Sequence, residues 1–193
     1  MKRLTLILIL ILTVFCFTAC SAKTPSDAPA IDAAAVSFDA EIYYARDGRM
    51  RFLYDPDTDM LSAMEGYDMA AIYSGTVYSM VVQYTEGTVS RRDADAAVKS
   101  EFTAEGVMEI QGKTKSVTVS GHPFRRAEIT AADGSHGAVL YGSTDTGFGK
   151  IYYLLSPTAT DADAAHVEEI LSTVTFTEFE SSDQDDDIKI YVD

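Results

Sequence analysis

The chain has 193 residues, with 15 lysines and arginines against 30 aspartates and glutamates, so its formal net charge is −15 at pH 7. A chain this acidic repels nucleic acid phosphates, which excludes DNA and RNA as partners. Its length suits one domain of ordinary size with a substantial hydrophobic core.

The first predicted element is a secretory signal peptide over residues 1–19. Lys2 and Arg3 precede an almost unbroken apolar run of fourteen residues, Leu4 to Phe17. A helix of this length is too short to cross about 30 Å of hydrocarbon comfortably. A charged start followed by an apolar run of this length is typical of the leader of an exported protein.

The leader ends in Phe17-Thr18-Ala19-Cys20, with small residues just before a cysteine. This stretch resembles the lipobox of bacterial lipoproteins, usually Leu-small-small-Cys, with phenylalanine here in the place of leucine. The resemblance implies that Cys20 is acylated on sulfur and becomes the new N-terminus. Lipid on Cys20 would make the membrane a partner. The alternative is an ordinary cleaved signal peptide with a coincidental cysteine.

Lipidation would also fix the location and redox character of the mature chain. Cys16 lies inside the leader, so the mature protein would have no free thiol, disulfide or thiolate metal site. Loss of Lys2 and Arg3 leaves 174 residues with 13 basic and 30 acidic side chains, a net charge of −17. The expected location is the extracytoplasmic side of a cell membrane, where two or more acyl chains hold a protein firmly.

Polar stretches flank a predicted domain of residues 36–180. Residues 20–35 have little to bury and are predicted to form a flexible tether. Residues 181–193 form an acidic tail that begins SSDQDDD, a solvated run. The alternating residues Ile188 to Val192 at its end are predicted to add a short edge strand.

Strands dominate the first half of the predicted domain. The hairpin signal Asp47-Gly48 separates a first strand over Val36–Tyr44 from a returning strand over Met50–Tyr54. Two further strands follow over Met69–Ser74 and Val77–Thr85.

A change of period then predicts the first helix. Ser90 and Asp93 make a capping box, and an apolar stripe at helical spacing continues to Gly106. The members of this stripe are Ala94, Ala97, Val98 and Phe102.

Alternation and turn residues predict five more strands and then a second helix. The strands are Val107–Ile110, Ser116–Val119, Phe124–Ala131, Ala138–Tyr141 and Ile151–Leu155. The helix starts at Thr160, with Asp163 as its capping-box partner, and its apolar stripe is Val167, Ile170, Leu171 and Val174. Residues 174–177 alternatively begin a last strand.

Two helices and many hairpin-linked strands without long crossovers predict an α+β fold. Its main feature is an antiparallel β-sheet flanked by helices.

The second half of the chain is similar to a known family. The stretch from Ser116 to Phe176 has a strand, a glycine turn, three hairpin strands, a polar gap and a helix that ends ILSTVTF. This order resembles PsbP-like domains, and the resemblance extends over Phe38 to Phe179. It implies an α/β/α sandwich with a binding or assembly role. The family has no common catalytic residues, so none is carried over.

Asp55-Pro56-Asp57-Thr58-Asp59 has the D-x-D-x-D spacing that supplies carboxylates to calcium. An EF-hand loop also needs glycine at its sixth and glutamate at its twelfth position, where this chain has Met60 and Gly66. A polar turn is therefore the favoured interpretation.

The stretch from Gly142 to Lys150 invites comparison with a phosphate-binding loop. It has Phe148 where lysine is required, and no strand-loop-helix context follows. A hairpin loop over Gly142–Gly149 is therefore predicted.

His122, His136 and His166 show no zinc-binding spacing, and no G-x-S-x-G motif is present. A Ser-His-Asp site could still be assembled from distant residues, because triads are defined by geometry.

The sequence thus predicts a membrane-anchored extracytoplasmic lipoprotein that is a binding or assembly module for a protein or small ligand. We expect no enzymatic activity, no catalytic or metal site and no cofactor. Two alternatives remain: a lipid-anchored hydrolase with a non-motif active site, and a calcium-responsive surface module.

Overall fold

The computed structural model describes residues 35–45, 49–64, 68–103 and 108–176. Within them the chain forms nine strands and two helices. In order these are β1 (Glu41–Tyr44), β2 (Arg51–Tyr54), β3 (Met60–Ala63), β4 (Met69–Ser74), β5 (Tyr78–Glu86), α1 (Arg91–Thr103), β6 (Met108–Val119), β7 (His122–Ala131), β8 (His136–Ser143), β9 (Gly147–Leu155) and α2 (Asp161–Thr173).

Seven of the strands form one antiparallel sheet in the order β3-β4-β5-β9-β8-β7-β6. Strands β1 and β2 form a separate antiparallel pair. The two halves of the large sheet meet where β5 pairs with β9, because α1 carries the chain from β5 to the far edge at β6.

The sheet lies between two layers. Helix α1 buries Ala94, Val98 and Phe102 against one sheet face. Helix α2 buries Val167 and Ile170 against the opposite face, where the β1–β2 pair also packs. This arrangement is an α+β sandwich, and it confirms the predicted fold class.

Three aromatic rings join the α2 layer to the sheet. Phe176 stacks on Phe124 with ring centroids 5.7 Å apart, and its centroid lies 6.5 Å from that of Tyr84. The rings lie directly over Gly149, where a Cβ atom would come 2.8 Å from Phe176 and 2.9 Å from Phe124. A glycine is therefore required inside this strand, because any side chain would overlap the rings.

The predicted loop over Gly142–Gly149 is wrong for most of its length. β8 continues to Ser143 and β9 starts at Gly147. The turn is closed by hydrogen bonds between Thr144 and Gly147. The interpretation as a hairpin rather than a phosphate-binding loop is confirmed, because two paired strands flank the turn.

Two predicted strands, Val107–Ile110 and Ser116–Val119, fall on the single strand β6, apart from Val107, which lies outside the described residues. Its pairing with β7 shifts register between Gln111 and Lys115, and Gly112 has a φ of +65° there. A glycine in this conformation is typical of a β-bulge, which interrupts the alternation without ending the strand.

The remaining differences concern element ends and one strand that was not predicted. Strand β3 was not predicted, and β1 begins at Glu41 rather than at Val36. Ala97 is exposed, although it was predicted on the buried stripe of α1. Thr175 makes only one isolated bridge, to Arg51.

The predicted features at Asp47-Gly48, Gly106, Thr177 and residues 181–193 lie outside the described residues.

Candidate functional site

The Asp55–Asp59 segment is a tight turn between β2 and β3. The Asp55 carboxylate accepts a hydrogen bond from the amide of Asp57 at 3.0 Å. The amide of Asp55 donates in turn to the Asp59 carboxylate at 2.9 Å. These bonds confirm the interpretation of this segment as a polar turn.

Asp59 is buried, and its carboxylate joins three parts of the fold. It accepts a hydrogen bond from the hydroxyl of Tyr78, at the start of β5. Its two oxygens lie 3.1 and 3.2 Å from Nε2 of His166 on α2. A single carboxylate thus connects the β2–β3 turn, the central sheet and the second helix.

The electrostatics of this cluster favour an ion pair. Burial opposes charge on Asp59, but the hydrogen bonds from His166, Tyr78 and the Asp55 amide hold the pKa of its carboxyl below the ordinary value. The hydrogen bond to Asp59 raises the pKa of His166, against the opposing effect of burial. Burial and the bond to Asp59 raise the pKa of Tyr78, so its phenol stays protonated at neutral pH.

The segment before β1 covers this cluster from outside. The ring of Phe38 packs edge-on against His166 with a centroid distance of 4.8 Å. The neighbouring Ser37 donates its amide and its hydroxyl to the carboxylate of Glu169 on α2, at 2.8 to 3.1 Å. The chain is therefore fixed to α2 before it enters the first strand.

A second polar cluster lies on the same face of the sheet. Arg126 on β7 forms an ion pair with Glu168 on α2 at 2.9 Å, and both contact the hydroxyl of Tyr153. Glu128 accepts a further bond from Arg126 at 3.1 Å. Burial opposes the charge of Arg126, yet the bond to Glu168 and the surrounding charges raise its pKa. This network fastens α2 to the sheet.

A corresponding cluster lies on the α1 face. Asp95 of α1 accepts a hydrogen bond from the hydroxyl of Tyr141 at 2.8 Å and forms an ion pair with Arg125 at 2.9 Å. Lys150 forms an ion pair with Glu101 nearby, at 2.7 Å. Each helix is thus joined to the sheet by polar side chains as well as by its apolar stripe.

The three histidines lie in different environments. His166 is bound to Asp59, His122 lies 3.8 Å from the exposed carboxylate of Asp145, and His136 is exposed. Within the described ranges, no histidine is hydrogen-bonded to a serine or threonine hydroxyl that could be a nucleophile. The described residues also contain no group of three or more histidine, cysteine or acidic side chains that could hold a metal ion.

The Asp59–His166 contact was not predicted, because its partners are 107 residues apart. One local signal could have located His166, which lies four residues before Ile170 and next to Val167. This spacing places it at the border of the apolar stripe of α2. The predicted lipidation site, Cys20, lies outside the described residues. Among the residues described, no helix is long and apolar enough to span a membrane.

The pH dependence of stability provides a test of the Asp59–His166 ion pair. A raised His166 pKa means that its stabilisation is complete below about pH 6.5, its unfolded value, and is lost as pH rises through the folded value. A lowered Asp59 pKa means that its stabilisation is complete above about pH 3.8 and is lost as pH falls through the folded value. We therefore expect His166→Gln to reduce the free energy of unfolding most near pH 5.5 and least near pH 9.

Urea denaturation at both pH values measures this difference. His136→Gln, which replaces an exposed histidine, is the matched control and should have little effect at either pH. An equal loss at both pH values for His166→Gln would show that the histidine contributes by packing rather than by charge.

Comparison with known proteins identifies the fold. No protein-family model matches the chain, and no curated protein matches it. The solution structure of cyanobacterial PsbP (CyanoP) from Synechocystis aligns with a TM-score of 0.51 and 11% sequence identity, over 78% of this chain and 99% of that chain. The fold is PsbP-like. The PsbP-like resemblance noted in the sequence is therefore confirmed for the architecture.

A crystal structure of a protein from Bacteroides thetaiotaomicron aligns less well, with a TM-score of 0.49 and 10% identity. It covers 72% of this chain and 48% of that chain. At 11% identity, the similarity to the cyanobacterial protein concerns the fold alone.

Proposed function

We propose that this protein is a membrane-anchored extracytoplasmic lipoprotein whose PsbP-like domain binds a protein or small ligand without catalysis. The observation that carries the proposal is the order of segments: a charged and apolar leader, Cys20 after small residues, a polar tether and then a folded domain. Such an order exports a chain and leaves its domain on a lipid anchor outside the cytoplasm.

The contacts of the buried Asp59 cluster favour a structural role for it over a catalytic one. Tyr78 and His166 are each hydrogen-bonded to Asp59, and the three residues connect separate parts of the fold. Their hydrogen-bonding capacity is thus used to hold the domain together. Both oxygens of Asp59 also already accept hydrogen bonds, from Tyr78 and from the Asp55 amide, which weakens the case for calcium in the Asp55–Asp59 turn.

Substitution of the predicted anchor tests the proposal. We expect wild-type protein to sediment with membranes and to have an acylated Cys20 by intact-mass analysis. Cys20→Ala should be lost from the membrane fraction, because the acyl chains provide the attachment. Cys16→Ala is the matched control, since this cysteine lies in the predicted leader, and it should leave the distribution unchanged.

Intact-mass analysis also distinguishes the results that would contradict lipid anchoring. Wild-type protein that still starts at Met1, or that starts later with an unmodified sulfur, would contradict lipidation. Membrane retention of a Cys20→Ala chain from which the leader has been removed would show that something other than lipid holds the protein.

A further inference from the structure

The two edges of the seven-stranded sheet differ in their protection against another strand. Edge strand β6 has Lys113 and Lys115 and a register shift at its bulge, which are features that discourage edge pairing. Edge strand β3, Met60–Ala63, has no charged residue and no proline. Within the described ranges, only β4 pairs with it.

The backbone of β3 presents hydrogen-bonding groups outward. The amide of Met64 donates to the carbonyl of Met69 on β4 at 3.1 Å, so this residue faces its neighbour strand. Because hydrogen-bonded and non-bonded positions alternate in an antiparallel pair, Leu61 and Ala63 direct their N–H and C=O groups away from β4. These are the groups that an added strand would use.

Two large apolar side chains are exposed at this edge, with the exposed Ser62 between them. Met60 is 56% exposed and Met64 is 49% exposed, and they are two of the three large hydrophobic residues exposed within the described ranges. Leu61 packs against the main core on the opposite face, so it fixes β3 in the sheet. Leu61 thus anchors the strand in the sheet, while Met60 and Met64 remain exposed to solvent.

Carboxylates lie at both ends of β3. Asp57 is exposed in the turn that precedes the strand. Asp68 lies at the other end, next to Met69. The carbonyl of Met69 accepts a hydrogen bond from the amide of Met64, the residue after β3. The whole chain has a net charge of −15. A segment with positive charges on either side of an apolar centre would match this pattern.

We propose that the β3 edge binds an extended segment of a partner protein, with alternating apolar residues flanked by lysine or arginine, as an added strand. The main chain of the segment pairs with Leu61 and Ala63, and its apolar side chains pack on Met60 and Met64. This inference rests on the proposed binding function and assigns its location.

Charge disfavours two other occupants of the edge. A second copy of this chain would bring another net charge of −15 to an edge flanked by Asp57 and Asp68. The tail segment Ile188 to Val192 directly follows the acidic run DQDDD, which has the same sign as those carboxylates.

A single backbone substitution tests the assignment. Ala63→Pro removes an outward N–H without removing a β3–β4 hydrogen bond, and proline is tolerated at such edge positions. Ala63→Val retains the N–H and is the matched control. The probe is a fluorescent heptapeptide of alternating valine and threonine with lysine at each end, and the control peptide has glutamate ends. Binding to the full-length protein, purified after export and processing in the cell, is measured by fluorescence anisotropy.

We expect the lysine peptide to bind the wild type and the Ala63→Val variant alike. Ala63→Pro should bind about tenfold more weakly at an unchanged melting temperature. The glutamate peptide should bind more weakly than the lysine peptide. Equal binding by Ala63→Pro, a preference for glutamate or no binding of either peptide by wild type would overturn the proposal.

Two further outcomes would assign the edge to another occupant. A dimer in sedimentation that Ala63→Pro dissociates would identify a second copy. Peptide binding that appears only after deletion of residues 181–193 would identify the tail. Each of these results rejects the external segment. The membrane anchor is measured separately through Cys20, so failure at β3 would leave the lipoprotein proposal standing.

Discussion

Asp59→Ala is expected to lower the free energy of unfolding by about 2 to 4 kcal/mol at pH 6. The substitution leaves the buried hydroxyl of Tyr78 and the half-buried ring of His166 without their shared partner. Removing one member of a buried polar pair costs more than the pair itself contributes, because the remaining groups stay desolvated. Urea denaturation, with the transition midpoint and slope compared to wild type, measures the loss.

Asp57→Ala is the control for Asp59→Ala. Asp57 belongs to the same turn but is exposed, so its replacement should change stability by less than about 0.5 kcal/mol. Equal losses for the two variants would mean that the turn, and not the buried contact with His166, is responsible. Asp59→Asn, which retains the size of the side chain but removes its charge, should lie between wild type and Asp59→Ala.

Phe176→Ala is expected to lower the free energy of unfolding by about 3 to 5 kcal/mol. The side chain is fully buried and contacts Phe124 and Tyr84 over Gly149. Truncation loses the transfer free energy of the ring and leaves a cavity between the sheet and the α2 layer. Thermal unfolding and urea denaturation should both show the loss.

Two comparisons define the cause of the Phe176 effect. Phe176→Leu retains much of the buried volume and should cost less than Phe176→Ala. Phe148→Ala removes a partly buried ring on the opposite sheet face and should also cost less. A loss below about 1 kcal/mol for Phe176→Ala would contradict the described packing, because it would mean that the ring is not buried between the layers.

Local signals were sufficient where the residues that specify an element are close together in the sequence. The start of α2 is an example, since Thr160 and Asp163 form the predicted capping box with reciprocal hydrogen bonds. Three residues of its predicted stripe, Val167, Ile170 and Leu171, are buried in the helix. A cap and an apolar stripe are both encoded within a few turns of chain, so the sequence alone specifies them.

Local sequence signals did not predict the structure correctly where contacts between distant residues determine it. Gly149 resembles a loop residue by type, but it lies in a strand paired with Tyr84 and Gly142, and the rings of Phe124 and Phe176 above it leave no room for a side chain. β3 is short and lacks clear alternation, and its pairing with β4 holds it in the sheet. Gly112 interrupts β6 in the sequence pattern, whereas in the structure it produces a bulge within a continuous strand.

The Asp59 cluster could not be assembled from the sequence for a related reason. Asp59 belongs to an acidic turn whose spacing suggested a calcium ligand, and only the fold shows that its carboxylate is directed inward to Tyr78 and His166. Pairing between residues so far apart depends on sheet order, which no local pattern encodes. The prediction of a turn was therefore correct, whereas the contacts of the Asp59 carboxylate are evident only in the tertiary structure.

The pairing of β5 with β9 has a consequence for how the chain folds. Glu86 pairs with Gly147, about sixty residues later in the chain, whereas β3–β5 and β6–β9 are two meanders held by neighbouring hairpins. Each meander can form early from short-range contacts, but β5 and β9 must pair before the hydrophobic core is complete. Because non-local pairing slows folding, we expect this encounter to limit the folding rate, and until it occurs the unpaired edges of β5 and β9 would be open to aggregation.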